Sequence, residues 1–425
     1  MNNDGHMDLS GRTLYIHTMT QAGARMIAAS FRSRGIDSKI IPPSDAETLE
    51  LGALYSAGDE CFPTKVTLGD YIKLTRAEDF DPSKIAFFMP TANGPCRFGQ
   101  YSSLIKRILN DLGHDDVPIF SPSSKDGYSD IGGLDFFKVA WLGLVASDII
   151  RKMMLKIRPY ETMKGSTDDV YEQSLVKAEK MLENPDLSFS RRASGLKNVL
   201  EEIRDDFRAI DAEFVKGKPL IAVIGEIFCR HNRFSNDNMI LKLEEYGAET
   251  WLADVGEWVF YTDWSANQTM TRLGKKFSAD MAKSKLKKYF MKKYEHKLLE
   301  PFHDDFVGYE EPADISILME MSKPYLQPTG ALGEMSVSMG RSVYSYENGV
   351  DGIVDISPFS CMNGIITEAI YPSFSKDHNN MPCRVFYFDG INQDLDRDVG
   401  IFIELVKGYI GRKKVERRYN RFFKD

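Results

Sequence analysis

The sequence predicts an α/β fold with two mainly parallel sheets separated by a helical segment. Three observations lead there. Short apolar runs alternate with helix-like stretches of about 10–15 residues in the first third of the chain and again after residue 216, the pattern of βαβ units. Between these regions only helical periodicity appears, with charged faces such as Lys177, Glu179 and Lys180. The length of 425 residues suits two or three domains at about 100–200 residues each. The division reads as an N-terminal α/β domain over 8–135, a helical connector or cap over 136–215, and a C-terminal α/β domain over 216–425. A helical excursion leaves the last domain at about 264–330.

The elements follow in order. Thr13–Met19 reads as a buried strand, Gln21–Arg34 as a helix closed by Gly35, and Lys39–Pro42 as a second short strand. A helix over Lys65–Thr75, the apolar run Ile85–Met89, a helix over Gln100–Leu112 and the strand Val117–Phe120 complete the first unit. The second opens at Pro219–Gly225, a strand running into a glycine turn, followed by the helix Asn238–Tyr246 and the strand Glu249–Leu252. Ala266–Lys297 is a long Lys-rich helical stretch. Strands resume at Gly352–Ile356 and Cys383–Phe388, and a helix over Asp396–Tyr409 follows. No short internal repeat or low-complexity segment occurs.

Composition narrows the function. With 26 Phe, 19 Tyr and 4 Trp, the chain has ample apolar surface to offset its conformational entropy, so disorder is excluded as the dominant state. The formal charge of −8, from 54 Lys and Arg against 62 Asp and Glu, lacks the basic footprint of a non-specific nucleic-acid binder. The basic run Gly411–Arg418 is the local exception and reads as a solvated last helical turn. No run reaches the roughly 18–20 apolar residues of a membrane span. Met1–Met7 has neither the basic region nor the apolar region of a secretory signal. The expected location is cytoplasmic, where the five cysteines are core residues, catalytic thiols or metal ligands rather than disulfides.

Cys61 falls between two helices, while Cys96 and Cys361 each fall in a loop shortly after a strand. Ligands of open α/β sheets bind beyond the carboxyl ends of strands. Each of the two loops also leads into a helix whose free N–H groups would lower a thiol pKa. No CxxC occurs, so neither a zinc ribbon nor a ferredoxin-type cluster is indicated. Spacing alone leaves metal binding and incidental thiols both open. Cys383 alternates with its apolar run as a core residue would, and Cys229 follows a strand without a clear role.

The segments around these cysteines resemble the 2-hydroxyacyl-CoA dehydratase-like iron–sulfur proteins, above all the dehydratase-like region associated with ATP-dependent activator modules. They are Gly58–Asp70 (GDECFPTKVTLGD), Phe87–Tyr101 (FFMPTANGPCRFGQY), Val117–Ser123 (VPIFSPS), Gly225–Asn236 (GEIFCRHNRFSN), Gly333–Met335 (GEM) and Gly352–Gly364 (GIVDISPFSCMNG). The likeness spans most of residues 10–410, and the Cys96 segment is its most specific part.

The resemblance implies two Rossmann-like domains facing each other across a cleft, with a [4Fe-4S] cluster held by Cys61 and Cys96 from the first and Cys361 from the second. A double-cubane iron–sulfur cluster, as in related proteins, is the variant. Three thiolates leave one iron open to substrate, water or another sulfur. Cys229 stands where relatives are expected to carry another residue type, and Met362-Asn363 departs from the Met-Pro expected after the third cysteine. The function so implied is an oxygen-sensitive protein that takes low-potential electrons from an ATP-dependent activator and passes them to a substrate. That substrate is an acyl-CoA or another small molecule, and the protein is an iron–sulfur reductase or an acyl-CoA dehydratase component, with a dimer as a possible assembly. The alternatives are a cluster-bearing accessory or scaffold protein without its own substrate, and a metal-free α/β binding protein.

Other segments have plainer readings. Ser129–Gly133 superficially resembles the phosphate turn of actin-like ATPases but lacks a preceding apolar strand. No Walker A sequence or strand-anchored GxGxxG is present, so ATP hydrolysis falls to a separate partner. Arg230 and His231 read as an exposed loop pair, with a cleft-facing anion contact as the alternative. Arg97 reads as a contact to the thiolate or a bound anion, or as an ordinary ion pair, and Glu60 as an acid/base or an N-terminal helix carboxylate. Glu226 and Glu334 are polar cleft candidates without an assigned role. The lysines from Lys275 to Lys297 read as the outer side of an amphipathic helix packed on the sheet. A docking face for an acidic partner or a CoA phosphate is the alternative.

Overall fold

The computed structural model describes residues 9–92, 94–122, 133–330, 333–391 and 394–424. Two four-stranded, all-parallel sheets organise it. The first contains β1 (Thr13–Ile16), β2 (Ser38–Ile40), β3 (Ile85–Phe88) and β4 (Ile119–Phe120) in the order β2-β1-β3-β4. The second contains β5 (Leu220–Gly225), β6 (Glu249–Leu252), β7 (Gly352–Pro358) and β8 (Cys383–Phe388) in the order β6-β5-β7-β8. The two orders are the same, so the fold repeats an architecture that the sequence does not repeat. β3, β5 and β7 are buried along their whole length, as expected for parallel strands covered on both faces. In each sheet the chain switches direction between the first and third strands, which opens a crevice at their carboxyl ends.

Several element boundaries shift for identifiable reasons. β1 stops at Ile16, because the chain then turns toward the helix Gln21–Arg32. Val117 donates its N–H to His114 O in a turn and Pro118 has no N–H to give, so β4 shortens to two residues. The helix expected from Lys65 begins at Phe62, with Pro63 in its first turn, where a missing N–H costs nothing. The Lys-rich stretch is two helices, Val255–Arg272 and Ala279–Leu299, interrupted at Gly274 with φ +74°. The second helix packs on the connector rather than on the sheet. Trp141 Nε1 donates to Met291 O at 3.0 Å, and Phe189 meets Phe290 and Tyr294 at ring distances of 5.5 and 5.0 Å.

The connector helices Gly133–Ile157, Ser166–Glu183 and Phe189–Arg208 share one apolar core with the second sheet. Two smaller clusters flank the first sheet. The helix Gln21–Arg32 joins these regions: Ala22, Met26 and Ala29 enter the large core, while Ala24, Ala28 and Phe31 cover the first sheet. The basic run 411–418 is not a solvated helical turn. The last helix ends at Ile410; beyond it Lys413 pairs with buried Asp351 at 2.5 Å, and Arg417 pairs with fully buried Glu249 at 2.5 Å. Unpaired, those two carboxylates would bear a large desolvation cost. No helix among the described residues is long and apolar enough to cross a membrane.

The helix Phe62–Thr75 lies against the helix Ala46–Leu54 through glycine. A Cβ on Gly69 would fall 1.8 Å from Thr48 O, and one on Gly52 would fall 2.0 Å from Lys65 O. Gly69→Ala is therefore expected to destabilise the protein by about 2–3 kcal/mol through overpacking, read as a lower urea midpoint. Gly408→Ala, where a Cβ meets nothing within 4 Å, should leave the midpoint unchanged or raise it slightly.

Candidate functional site

The carboxyl ends of the two sheets face each other. Asn232, just beyond the short helix Ile227–His231, donates its side-chain N–H to Thr18 O at 3.0 Å. The Phe228 ring lies 5.6 Å from that of His17. Gly390, after β8, approaches Leu49 and Phe62 so closely that a Cβ would lie 2.8 and 3.0 Å from them. Cys61 precedes Phe62, so the contact of the two domains runs beside the first cysteine.

Cys61, Cys96 and Cys361 occupy the same kind of position. Each is the residue immediately before a helical segment: Phe62–Thr75, the 3₁₀ turn Arg97–Gln100 that leads into Tyr101–Asp111, and Met362–Asp377. Their backbones are nearly alike, with φ/ψ of −66°/155°, −68°/134° and −71°/130°. None of the three side chains caps its own helix. Cys96 and Cys361 sit at equivalent places, beyond the third strand of each sheet. Ser360 takes a left-handed conformation with φ +63°, which turns the chain from β7 into the Cys361 helix.

The thiols are within electrostatic reach of one another. Cys61 acts on Cys96, and Cys96 acts on Cys361. Cys96 is open to solvent yet recessed, and the surrounding protein, with Glu226 and Glu334, pushes its thiol up to about 11 against the N–H of Phe98. Cys361 is half-buried; desolvation and the same two carboxylates push it up to about 12. The expected lowering by helix N–H groups is thus present but outweighed. Around Cys61 the sulfur meets Tyr101 OH at 3.0 Å and Thr64 Oγ1 at 3.1 Å. Both hydroxyls lie inside the motif segments that drew attention to their cysteines.

Two carboxylates lie beside the thiols. Glu226 follows β5 and accepts from the N–H groups of Phe228 at 3.0 Å and Cys229 at 2.9 Å. Gly225, with φ +112°, permits this close turn: a Cβ there would lie 2.2 Å from Ile356 O. Glu334 Oε2 accepts from Ile227 N–H at 3.2 Å, so both carboxylates converge on one short helix. Glu334 Oε1 is buried without a partner among the described residues, as are both amide atoms of Asn363, the second residue after Cys361. Asn363 also gives its backbone N–H toward the Cys361 sulfur, a donor that a proline at this position would lack. Ser357 Oγ, at the end of β7, is unpartnered as well.

The remaining candidates divide. Arg230 and His231 are buried, not an exposed loop pair; Arg230 donates to Gly225 O at 2.9 Å and lies against His231. Arg97 is exposed and reaches Asp59 O, tying the Cys96 loop to the Cys61 loop. Glu60 accepts from Ala57 and Gly58 N–H at 3.1 and 3.0 Å and holds its own loop together. Cys229 is fully buried in the large core, and Cys383 starts β8 against the same core. Residues 129–132 of the phosphate-like turn and Ser123 of the third motif segment lie outside the described residues.

Burial, then Glu226, pushes Glu334 up to about 8 against the pull of Arg230. The folded chain thus keeps a proton that the unfolded chain releases near pH ~4.3. More protons bound in the folded state mean that stability of the metal-free protein falls as pH rises from about 4.3 to about 8. Glu334→Gln is expected to flatten that fall, measured as the difference in urea midpoint between pH 5 and pH 8.

The donor set suits iron and sulfide. Burial raises the Cys96 and Cys361 thiols and the Glu226 and Glu334 carboxyls, and a bound metal centre would supply positive charge that offsets it. Among the described residues no group of three or more His, Cys, Asp or Glu is close enough to hold one metal ion. A cluster places each thiolate on a different iron and so accepts a wider spacing. No protein-family model matches the chain, and no curated protein matches it significantly.

Proposed function

We propose that this chain holds a cubane iron–sulfur cluster through Cys61, Cys96 and Cys361, and passes low-potential electrons from an ATP-dependent activator protein to a small-molecule substrate in the cleft. One observation carries the reading. Three cysteines from separate loops, two from the first sheet's domain and one from the second's, lie within electrostatic reach of one another beside Glu226 and Glu334.

When bound, such a cluster supplies one-electron chemistry and one iron free of protein thiolate. The chain's own groups have distinct tasks. Tyr101 OH and Thr64 Oγ1 hydrogen-bond the Cys61 sulfur, and Asn363 N–H does the same for Cys361. Hydrogen bonds to sulfur are among the levers that set cluster potential. Glu334 holds a proton in the recess beside Glu226, positioned by Ile227 N–H.

The test is iron and acid-labile sulfide content on protein purified without oxygen, with a visible spectrum of the same sample. About four of each per chain is expected for one cubane and about eight for the double-cubane form. No iron before or after reconstitution overturns the reading.

A further inference from the structure

The helices Val255–Arg272 and Ala279–Leu299 form a hairpin whose outer side is not used by the fold. From Arg272 to Lys293 the chain carries nine cations against the single Asp280, a local charge of +8 in a protein whose total is −8. Part of this charge is committed: Lys288 pairs with Asp314 at 2.6 Å and Lys292 with Glu295 at 2.9 Å. Lys275, Lys276, Lys283 and Lys285 are exposed and have no partner among the described residues.

Set among them is a line of apolar side chains facing solvent. Leu286 is 70% exposed and Tyr289 67%, while Phe277 in the turn between the helices is 97% exposed. Ala282, also exposed, precedes Leu286 by four residues and Tyr289 by seven. That spacing places the three on one narrow stripe of the helix, flanked by Lys283 and Lys285. The opposite side is accounted for, with Met281, Met291 and Leu298 buried.

A narrow seam at i, i+4 and i+7 bordered by like charges is the half-interface of a two-helix contact, in which flanking charges select the partner. A second copy of this chain would bring Lys against Lys. An interfacial membrane helix needs a broad apolar face, which this stripe does not provide. We propose that the hairpin docks a partner protein through an acidic amphipathic helix, laid along Ala282, Leu286 and Tyr289 with its carboxylates toward Lys283 and Lys285. This inference is independent of the metal content of the recess.

The experiment uses the full chain and a fluorescein-labelled helical peptide with Leu at its a and d positions and Glu at e and g, followed by fluorescence anisotropy. Saturable binding is expected at 50 mM salt, weakened at 300 mM salt as exposed charges are screened. The double variant Leu286→Glu, Tyr289→Glu should weaken binding by about tenfold or more. These sites are exposed, and an unchanged circular dichroism spectrum and urea midpoint show that the fold is intact. Lys283→Glu with Lys285→Glu is the second variant and should weaken binding at 50 mM salt and reduce the salt dependence. No saturable binding overturns the proposal, as does binding that neither double variant alters. Binding to phosphatidylserine vesicles, lost in the same variants while the peptide fails to bind, overturns it in favour of a membrane surface.

Discussion

Cys361→Ser is expected to reduce iron from about four to less than about one per chain and to remove the brown charge-transfer absorption. Cys361 is the candidate ligand supplied by the second sheet. Cys229 lies within electrostatic reach of Cys61 and Cys361 but is fully buried in the core, and Cys383 begins the adjacent strand β8 and packs on the core. Serine conserves shape but offers a hydroxyl that stays protonated where a thiolate is needed. The substitution also separates ligation from folding. Cys361 is an N-cap without a capping hydrogen bond, and serine is a preferred N-cap residue. The variant should therefore fold as well as the parent in its metal-free form, with an equal or higher urea midpoint. Cys383→Ser should retain full iron. If Cys361→Ser retains it too, the assignment of the second-domain ligand is wrong.

Arg417→Met is expected to lower stability by about 3–5 kcal/mol, the usual cost of stranding one charge of a buried pair. Its partner Glu249 is 0% exposed and begins β6. Glu249 also accepts from Tyr160 OH at 2.6 Å and from Tyr309 OH. Burial works to raise the Glu249 carboxyl, but Arg417 and Lys156 hold it below the ordinary range. Without the guanidinium, folding must place a carboxylate among aromatic rings with only the Lys156 ammonium to offset it, or protonate it. The urea midpoint at pH 7 measures the loss, and a lower pH should restore part of it. Arg417→Met combined with Glu249→Gln should recover most of the stability, because two neutral groups no longer incur the charge-burial cost.

The architecture was legible because parallel sheets write themselves in continuous apolar runs. Leu220–Gly225 and Ile85–Phe88 have no polar side chain to blur the pattern. Boundaries were less legible where backbone chemistry decides them, as at Pro118 and Pro63. The packing partner of the Lys-rich stretch could not be read at all. Phe290 and Tyr294 signal a buried side, but only the fold reveals that Phe189 lies there. At the site, the cysteines stood out through their loops, whereas Tyr101 and Thr64 did not, since a Tyr or Thr in a helix looks the same whether it faces sulfur or solvent. The protonation logic was also hidden. Glu226 and Glu334 are 108 residues apart in sequence, and the burial that holds the Glu334 proton, with Glu226 beside it, exists only in the fold. The basic run 411–418 misled for the same reason: its counter-charges Asp351 and Glu249 are distant in the chain.

The Arg417–Glu249 pair also bears on how the molecule is made. The two residues are separated by 168 positions, which a ribosome working at about 5–20 residues per second needs roughly 8–34 seconds to cross. During that interval β5 and β6 are already outside the exit tunnel, and Glu249 has no guanidinium to meet. The nascent second sheet must remain open enough for water to reach this carboxylate until Arg417 emerges. Closure of the domain around this carboxylate is thereby tied to the emergence of Arg417, 168 positions after its partner.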